Sequence, residues 1–172
     1  MTGMDAEWTV TPEPPDSPAA KALWRAYYTE VSDRWFVLHE GRDTPQDELA
    51  RGIADDDGLT LAPPSGVLFV GRWRGEPGGC AGVRLCGPGT AELKRMFVVP
   101  GLRGRGGGGA LLAAAESAAR SLGAGRLVLD TRHDLVEARA LYARHGFTET
   151  APHNAEPYSD RWLGKELPQA GR

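Results

Sequence analysis

Arg103, Gly104, Arg105 and the glycine run Gly106 to Gly109 stand between a strand-like stretch ending at Val98-Val99-Pro100 and an alanine-rich segment that begins at Ala110. Glycines leave backbone N–H groups unobstructed, and the two guanidinium groups add fixed positive charge. A helix starting here presents N–H groups without intrahelical partners and the positive end of its dipole. Such a site suits a polyphosphate. A flexible glycine-rich loop without a ligand is the plainer alternative. Pro100, the alternation of arginine with glycine and the immediate helix argue against it.

The helix itself is well specified, because Ala110 to Leu122 consists of strong helix formers and ends at Gly123. Leu111, Ala115, Ala118 and Leu122 recur at helical spacing and form an apolar stripe for packing on a sheet. Gly104, Gly106 and Gly109 also satisfy G-x-G-x-x-G, and Asp130 ends the next strand roughly where a ribose-binding acid belongs in a dinucleotide fold. Three features oppose that reading: an amphipathic preceding strand, two arginines in the tight turn, and too few residues after Asp130 for the remaining crossover units. The phosphate loop ending Gly-Lys-Ser/Thr is absent, since Ala110 follows Gly109.

A chain of 172 residues is expected to form a single domain over 1–172, large enough to bury a core without disulfide or metal support. Flexibility is expected at 1–6 and 168–172. The net charge of −3 argues against broad binding to nucleic acid. Cys80 and Cys86 are the only cysteines and have no neighbouring histidine cluster, so no metal site is expected. No stretch approaches the ~18 apolar residues of a membrane span, and no leader pattern opens the chain. A cytoplasmic location, with no membrane partner, is the resulting expectation.

Along the chain, a short strand from Glu7 to Val10 precedes a proline-rich loop, Thr11 to Pro18. Leu23, Trp24, Tyr27, Tyr28 and Val31 then mark an amphipathic, aromatic helix, and a second helix is expected over Pro45 to Ile53. Val67 to Trp73 reads as a strand, Arg74 to Gly79 as its turn, Cys80 to Leu85 as the returning strand, and Thr90 to Val99 as the third member of an antiparallel meander. The glycine loop and alanine helix follow. A strand over Gly125 to Asp130, a helix over Leu135 to His145, the segment Gly146 to Thr150 and a last strand near Arg161 to Leu167 complete the pattern.

The meander, Val98-Val99-Pro100, Arg103-Gly104-Arg105-Gly106-Gly107-Gly108 and the later Ala138-Arg139-Ala140-Leu141-Tyr142-Ala143-Arg144-His145-Gly146-Phe147 together resemble the GCN5-related N-acetyltransferase (GNAT) family, most clearly from Gly66 to Phe147. The resemblance implies an α/β (α+β) fold, with a mixed, mostly antiparallel central sheet of six to seven strands flanked by about four helices. It implies that the R/Q-x-x-G-x-G/A loop, here Arg103, Gly106 and Gly108 with Gly104, Arg105, Gly107 and Gly109 alongside, grips the pyrophosphate of acetyl-coenzyme A. It further implies backbone contacts to the pantetheine arm from Met96, Phe97 and Val98, with the Met96 N–H polarising the thioester carbonyl. Pantetheine carries two amides and can add to a strand edge like an extra peptide. Leu135 departs from the family pattern, which often has asparagine seven residues before the tyrosine.

Acyl transfer to an amine needs a base for the ammonium and an acid for the departing thiolate. By resemblance Tyr142 is the acid; by helical spacing alone it could equally be a core aromatic on the face shared by Ala138, Leu141 and His145. By the same resemblance Glu92 is the first candidate for the base, where some family members carry a glutamate, against a plainer role as a strand glutamate paired with Lys94; Asp130, where related enzymes place an acid, is the second. The family builds its acceptor pocket from the first two helices and the last hairpin, which offer Trp24, Tyr28, Trp35 and Tyr158, with His39, His153 and Trp162 nearby and Glu30 as an acid. Each of these aromatics has packing as its plainer role. His133 and His145 receive no role. The expected function is acetyl transfer to a primary amine, more often of a small molecule than of a protein tail, with a homodimer left open; a noncatalytic acyl-coenzyme A binder and a peptide acetyltransferase are the alternatives.

Overall fold

The computed structural model describes residues 7–168. The flexibility expected at 1–6 and 169–172 therefore lies outside the described residues. Pro168 has a defined place, its carbonyl accepting a hydrogen bond from Arg120 Nε at 3.0 Å.

One seven-stranded sheet organises the chain: β1 (Trp8–Pro12), β2 (Gly66–Trp73), β3 (Glu76–Gly87), β4 (Thr90–Val98), β5 (Arg126–Thr131), β6 (Thr148–Glu149) and β7 (Arg161–Glu166), in the spatial order β1-β2-β3-β4-β5-β7-β6. Among the described residues only β4 and β5 pair in parallel. Four α-helices, α1 (Pro18–Glu40), α2 (Gln46–Asp55), α3 (Gly107–Ser121) and α4 (Val136–Arg144), complete the expected mixed architecture. No helix among the described residues is long and apolar enough to cross a membrane.

Local chemistry explains the boundaries. Ser17 caps α1, its Oγ accepting from the Ala20 N–H at 3.1 Å, and Pro18 opens the first turn. The turn expected over Arg74 to Gly79 is shorter, because Arg74 and Gly75 both adopt positive φ (50° and 88°) and close a two-residue hairpin. Glu76 to Gly79 consequently belong to β3. A register shift lets Gly71 pair with Gly79 and Arg72 with Pro77, so the proline, which has no N–H, sits at the irregularity.

A second irregularity matters more. Cys80 pairs with Phe97 but Gly82 pairs with Lys94, so two residues of β4, Arg95 and Met96, face one of β3. Arg95 takes φ +54°, a conformation that strains a residue with a Cβ. The bulge reverses the alternation of side chains. Ahead of it, Ala91 and Leu93 enter the core beneath α3; beyond it, Phe97 points to the core beneath α1, while Met96 and Val98 pack toward α3.

The buried stripe of α3 is Leu111, Leu112, Ala115 and Ala119, with Ala118 and Leu122 only half-buried. It is rotated from the expected Leu111/Ala115/Ala118/Leu122 line because Leu112 and Ala119, rather than Ala118 and Leu122, join Leu111 and Ala115 in the core. The helix begins inside the glycine run, as expected: Gly106 is the cap in a left-handed conformation (φ 86°), and Gly107 is the first helical residue.

Two of these glycines separate packing from flexibility. A Cβ on Gly107 would stand 2.5 Å from the Trp8 ring, whereas one on Gly109 would meet only His145 at 3.5 Å, an ordinary contact. Gly107→Ala should therefore lower the unfolding free energy by about 1–3 kcal/mol through overpacking, and Gly109→Ala should leave it unchanged or raise it by up to ~1 kcal/mol. Urea unfolding of the two ligand-free variants checks this; equal effects would contradict it.

Candidate active site

Parallel pairing of β4 with β5 covers only Thr90–Glu92 against Arg126–Val128. Beyond Glu92 the strands part, and a cleft of about 770 Å³ opens between them, within the usual size of small-molecule sites. The N–H of Val99 bonds to the Gly78 carbonyl on β3. Backbone groups alternate along a strand, so those of Met96 and Val98 point the other way, into the gap. An amide-bearing chain laid there would complete the edge.

At one end of the cleft, Gly104 and Gly106 both have positive φ (80° and 86°), and a Cβ on either would meet nothing within 4 Å. Their requirement is conformational and their surroundings are open. The first backbone bond of α3 runs from the Ala110 N–H to the Gly106 carbonyl, and no side chain caps the helix. The N–H groups of Gly107, Gly108 and Gly109 thus lack intrahelical acceptors, which is the donor set a diphosphate satisfies. Gly108 also has a packing reason: a Cβ there would lie 2.9 Å from Leu141.

The two loop arginines separate. Arg103 lines the cleft, donating from Nε to the Val98 carbonyl at 2.9 Å and pairing with Glu30 of α1 at 2.7 Å. Arg105 does not line it. Its guanidinium lies 5.3 Å from the Trp73 ring centroid, and its carbonyl accepts from Trp8 Nε1 at 3.0 Å.

Tyr142, from α4, lines the cleft wall with only 6% of its surface exposed. Its ring meets Phe147 edge-on at 5.6 Å. Burial raises its pKa well above the ordinary tyrosine value, helped by Tyr27 and Asp130, so the phenol stays protonated at neutral pH. Tyr27 of α1 lines the same wall against Phe97, and burial, with Asp130 next in effect, pushes its pKa up to about 12. Tyr27 was visible in the sequence only as one apolar position of an amphipathic helix.

The two candidate bases occupy different places. Asp130, at the end of β5, lines the cleft; Glu92 lies below it, its side chain 4% exposed. Glu92 pairs with Arg84 at 2.8 Å and with His153 Nε2 at 3.0 Å, while Lys94 Nζ stands 4.0 Å from Glu92 and 3.6 Å from Asp130. Asn154 bridges the two carboxylates, its Nδ2 3.2 Å from Glu92 Oε2 and 3.0 Å from Asp130 Oδ1, and Ser159 donates to Asp130 Oδ2 at 2.5 Å. Burial alone would raise both carboxyl pKa values. Lys94 above all, with Arg84 and His153 at Glu92 and with Ser159 and Asn154 at Asp130, holds both below the ordinary carboxylate range.

Glu92, Asp130 and His153 place ligand-type atoms within 4.8 Å of one another. The Lys94 ammonium and the Asn154 amide already serve those oxygens, and this donor set fits no divalent cation without displacing both. Asn154 and Ser159 had no sequence signal: neither stands in a motif, and the loop brings them to Asp130 across 24 and 29 residues.

The expected acceptor aromatics divide. Trp24 and Tyr28 lie outside the cleft lining and join α1 to α2: the Arg95 guanidinium lies 3.8 Å from the Trp24 ring centroid, Trp24 Nε1 donates to the Ile53 carbonyl at 3.0 Å, and Tyr28 covers Gly52. Trp35 packs edge-on against Tyr158 at 5.4 Å and, tilted, against His39 at 4.6 Å; of these, Tyr158 lines the cleft. Trp162 donates from Nε1 to Asn154 Oδ1 at 2.9 Å. Leu135 also lines the cleft, giving the N-terminal end of α4 no side-chain cap.

A splayed parallel strand pair with a glycine-capped helix at its mouth defines a class of fold, and the family model described as "Acetyltransferase (GNAT) family" matches residues 18–147. The chain belongs to this family. It is 37% identical to an uncharacterized N-acetyltransferase of Schizosaccharomyces pombe over 64% of this chain and 66% of that protein, just under two thirds of the relative's length. It is 34% identical to the aminoglycoside N(6')-acetyltransferase type 1 of Stenotrophomonas maltophilia over 63% of this chain and 71% of that protein. The fold resembles the crystal structure of PaiA N-acetyltransferase from Thermoplasma acidophilum in complex with coenzyme A, with TM-score 0.69 and 12% identity over 92% of this chain and 98% of that one.

The carboxylate pair carries a stability signature. A group with a folded-state pKa below its unfolded value stabilises above the unfolded pKa, and that contribution is lost as pH falls through the folded value. Glu92→Gln should therefore destabilise the protein at pH 7, and the difference from wild type should shrink progressively below about pH 4.3, the ordinary glutamate value. Urea unfolding at pH 7 and pH 3 measures it; a difference that widened in acid would contradict it.

Proposed function

We propose that this protein is an N-acetyltransferase that moves an acetyl group from acetyl-coenzyme A directly to a primary amine of a small molecule. The observation that carries the reading is the convergence on one cleft of partnerless α3 amides, an unpaired β4 edge, a protonated phenol and an ionised carboxylate. Gly107 to Gly109 would hold the diphosphate, and Met96 and Val98 the pantetheine amides, with the Met96 N–H polarising the carbonyl. Asp130 takes one proton from the acceptor ammonium, directly or through water, and the freed amine then attacks the thioester carbonyl. As the C–S bond breaks, Tyr142 gives its proton to sulfur, and the second proton leaving nitrogen restores the phenol through water.

Asp130 is favoured over Glu92 as the group nearest the acceptor, because it lines the cleft while Glu92 is enclosed by Arg84, His153 and Asn154. Glu30 and Tyr158 give the acceptor side an acid and an aromatic wall suited to a cation. The name of the aminoglycoside relative supports a small, amine-bearing acceptor.

Thiol release from acetyl-coenzyme A, measured against a panel of polyamines and amino sugars, tests the reading. Turnover with at least one amine is expected, and Tyr142→Phe should lower kcat by about 10²-fold with KM for acetyl-coenzyme A unchanged and the melting temperature retained. Coenzyme A at a hundred times its Kd should stabilise the fold by about 2.7 kcal/mol, and NADH should not. Binding without thiol release for any amine would favour a noncatalytic binder instead.

A further inference from the structure

We propose that Asn154, on the loop between β6 and β7, is the positioning residue of the acceptor site: its amide fastens Asp130 to Glu92, so that Asp130 faces the cleft as an ionised carboxylate. This inference rests on the acetyl-transfer reading of the same cleft.

Counting hydrogens fixes the orientation of the amide. Asn154 Oδ1 accepts from Trp162 Nε1 at 2.9 Å, which turns Nδ2 toward the carboxylates. Nδ2 carries two hydrogens, and two acceptors lie within reach, Glu92 Oε2 and Asp130 Oδ1. The nearby His153 Nε2, 3.3 Å away, is then no acceptor for Asn154. It faces Glu92 Oε2 instead, as a donor, and this assigns the proton to Nε2. Each polar atom thus has one consistent role. A flipped amide would set Oδ1 against two carboxylates and leave the Trp162 indole opposite a donor.

The need for such a clamp follows from like charge. Two carboxylates within 4.8 Å of each other repel and raise one another's pKa, and a protonated Asp130 could not accept another proton. The groups facing the pair come from every neighbouring element: Arg84 from β3, Lys94 from β4, His153 and Ser159 from the same loop as Asn154, and the phenols Tyr27 and Tyr142 from α1 and α4. Among them Asn154 alone donates to both carboxylates without adding a charge that would repel a cationic acceptor.

Asn154→Asp tests the assignment with little change of shape, because a carboxylate oxygen can still accept from Trp162 while the bridging donors are replaced by a third negative charge. The acidic limb of kcat/KM for the amine should move to higher pH by about one unit, and KM for acetyl-coenzyme A should stay the same. Asn154→Ala should lower kcat/KM for the amine about tenfold with the same unchanged KM for acetyl-coenzyme A. The carboxyl carbons of Asp130 and Glu92, followed by 13C NMR against pH in substrate-free wild type and Asn154→Ala, give a reading independent of turnover; both should titrate at higher pH in the variant. Turnover with an unmoved limb and unmoved carboxyl titrations overturns the clamp and leaves acetyl transfer standing. Carboxyl titrations that shift in Asn154→Ala, when the wild type acetylates no amine, support the clamp and overturn the acetyl-transfer reading.

Discussion

The structure depends on the bulge at Arg95 and Met96. Pairing of β4 with β5 stops at Glu92, just ahead of it; beyond it the alternation of β4 is out of phase, and the edge of Met96 and Val98 faces the cleft. The bulge is held by strong local contacts: Arg95 is buried, its guanidinium lies over Trp24 and donates to the Asp56 backbone carbonyl at 2.8 Å, and the Cys80 thiol donates to the Arg95 backbone carbonyl at 3.1 Å. A strained φ held from several sides persists where the surroundings over-determine it. Here the result is an open strand edge in the middle of a seven-stranded sheet.

Around this opening the molecule divides its labour between rigid backbone and adjustable charge. The glycine-capped start of α3 is fixed by Trp8 on Gly107 and by Leu141 beside Gly108, so its amides are aimed before anything binds. Arg103 is different in kind. It ties the Val98 carbonyl to Glu30 of α1, and so spans the cleft with groups that a ligand amide or a cationic acceptor would also seek. At the far end a neutral amide and the cations Arg84 and Lys94 hold two carboxylates ionised in a largely buried setting, where each alone would be costly.

Most of the fold was legible in the sequence because its signals are local. The meander, the alanine helix stopping at Gly123 and the glycine cap follow from periodicity and from residues with special backbone freedom. The hairpin at Arg74 and Gly75 was drawn too wide because an arginine with positive φ gives no sequence signal, and the stripe of α3 was misplaced by one residue at its core-facing side. The site was legible by halves. Arg103 and Tyr142 stand in motifs and meet at the cleft, but Arg105, equally prominent in the sequence, turns to Trp73. Trp24 and Tyr28 were chosen for being aromatic, and packing of α1 on α2 claims both. Asn154 and Ser159 gave no signal, since their role exists only through long-range contacts between the β6–β7 loop and β5.

The central claim is that the freed edge of β4 and the first amides of α3 form one continuous binding surface. Backbone amide NMR shifts of the full chain, recorded as coenzyme A is added, test it most directly. The account predicts that the N–H signals of Met96, Val98 and Gly107 to Gly109 move together along one saturation curve. Saturating shifts confined to other parts of the sheet, with these five amides unmoved, would contradict it.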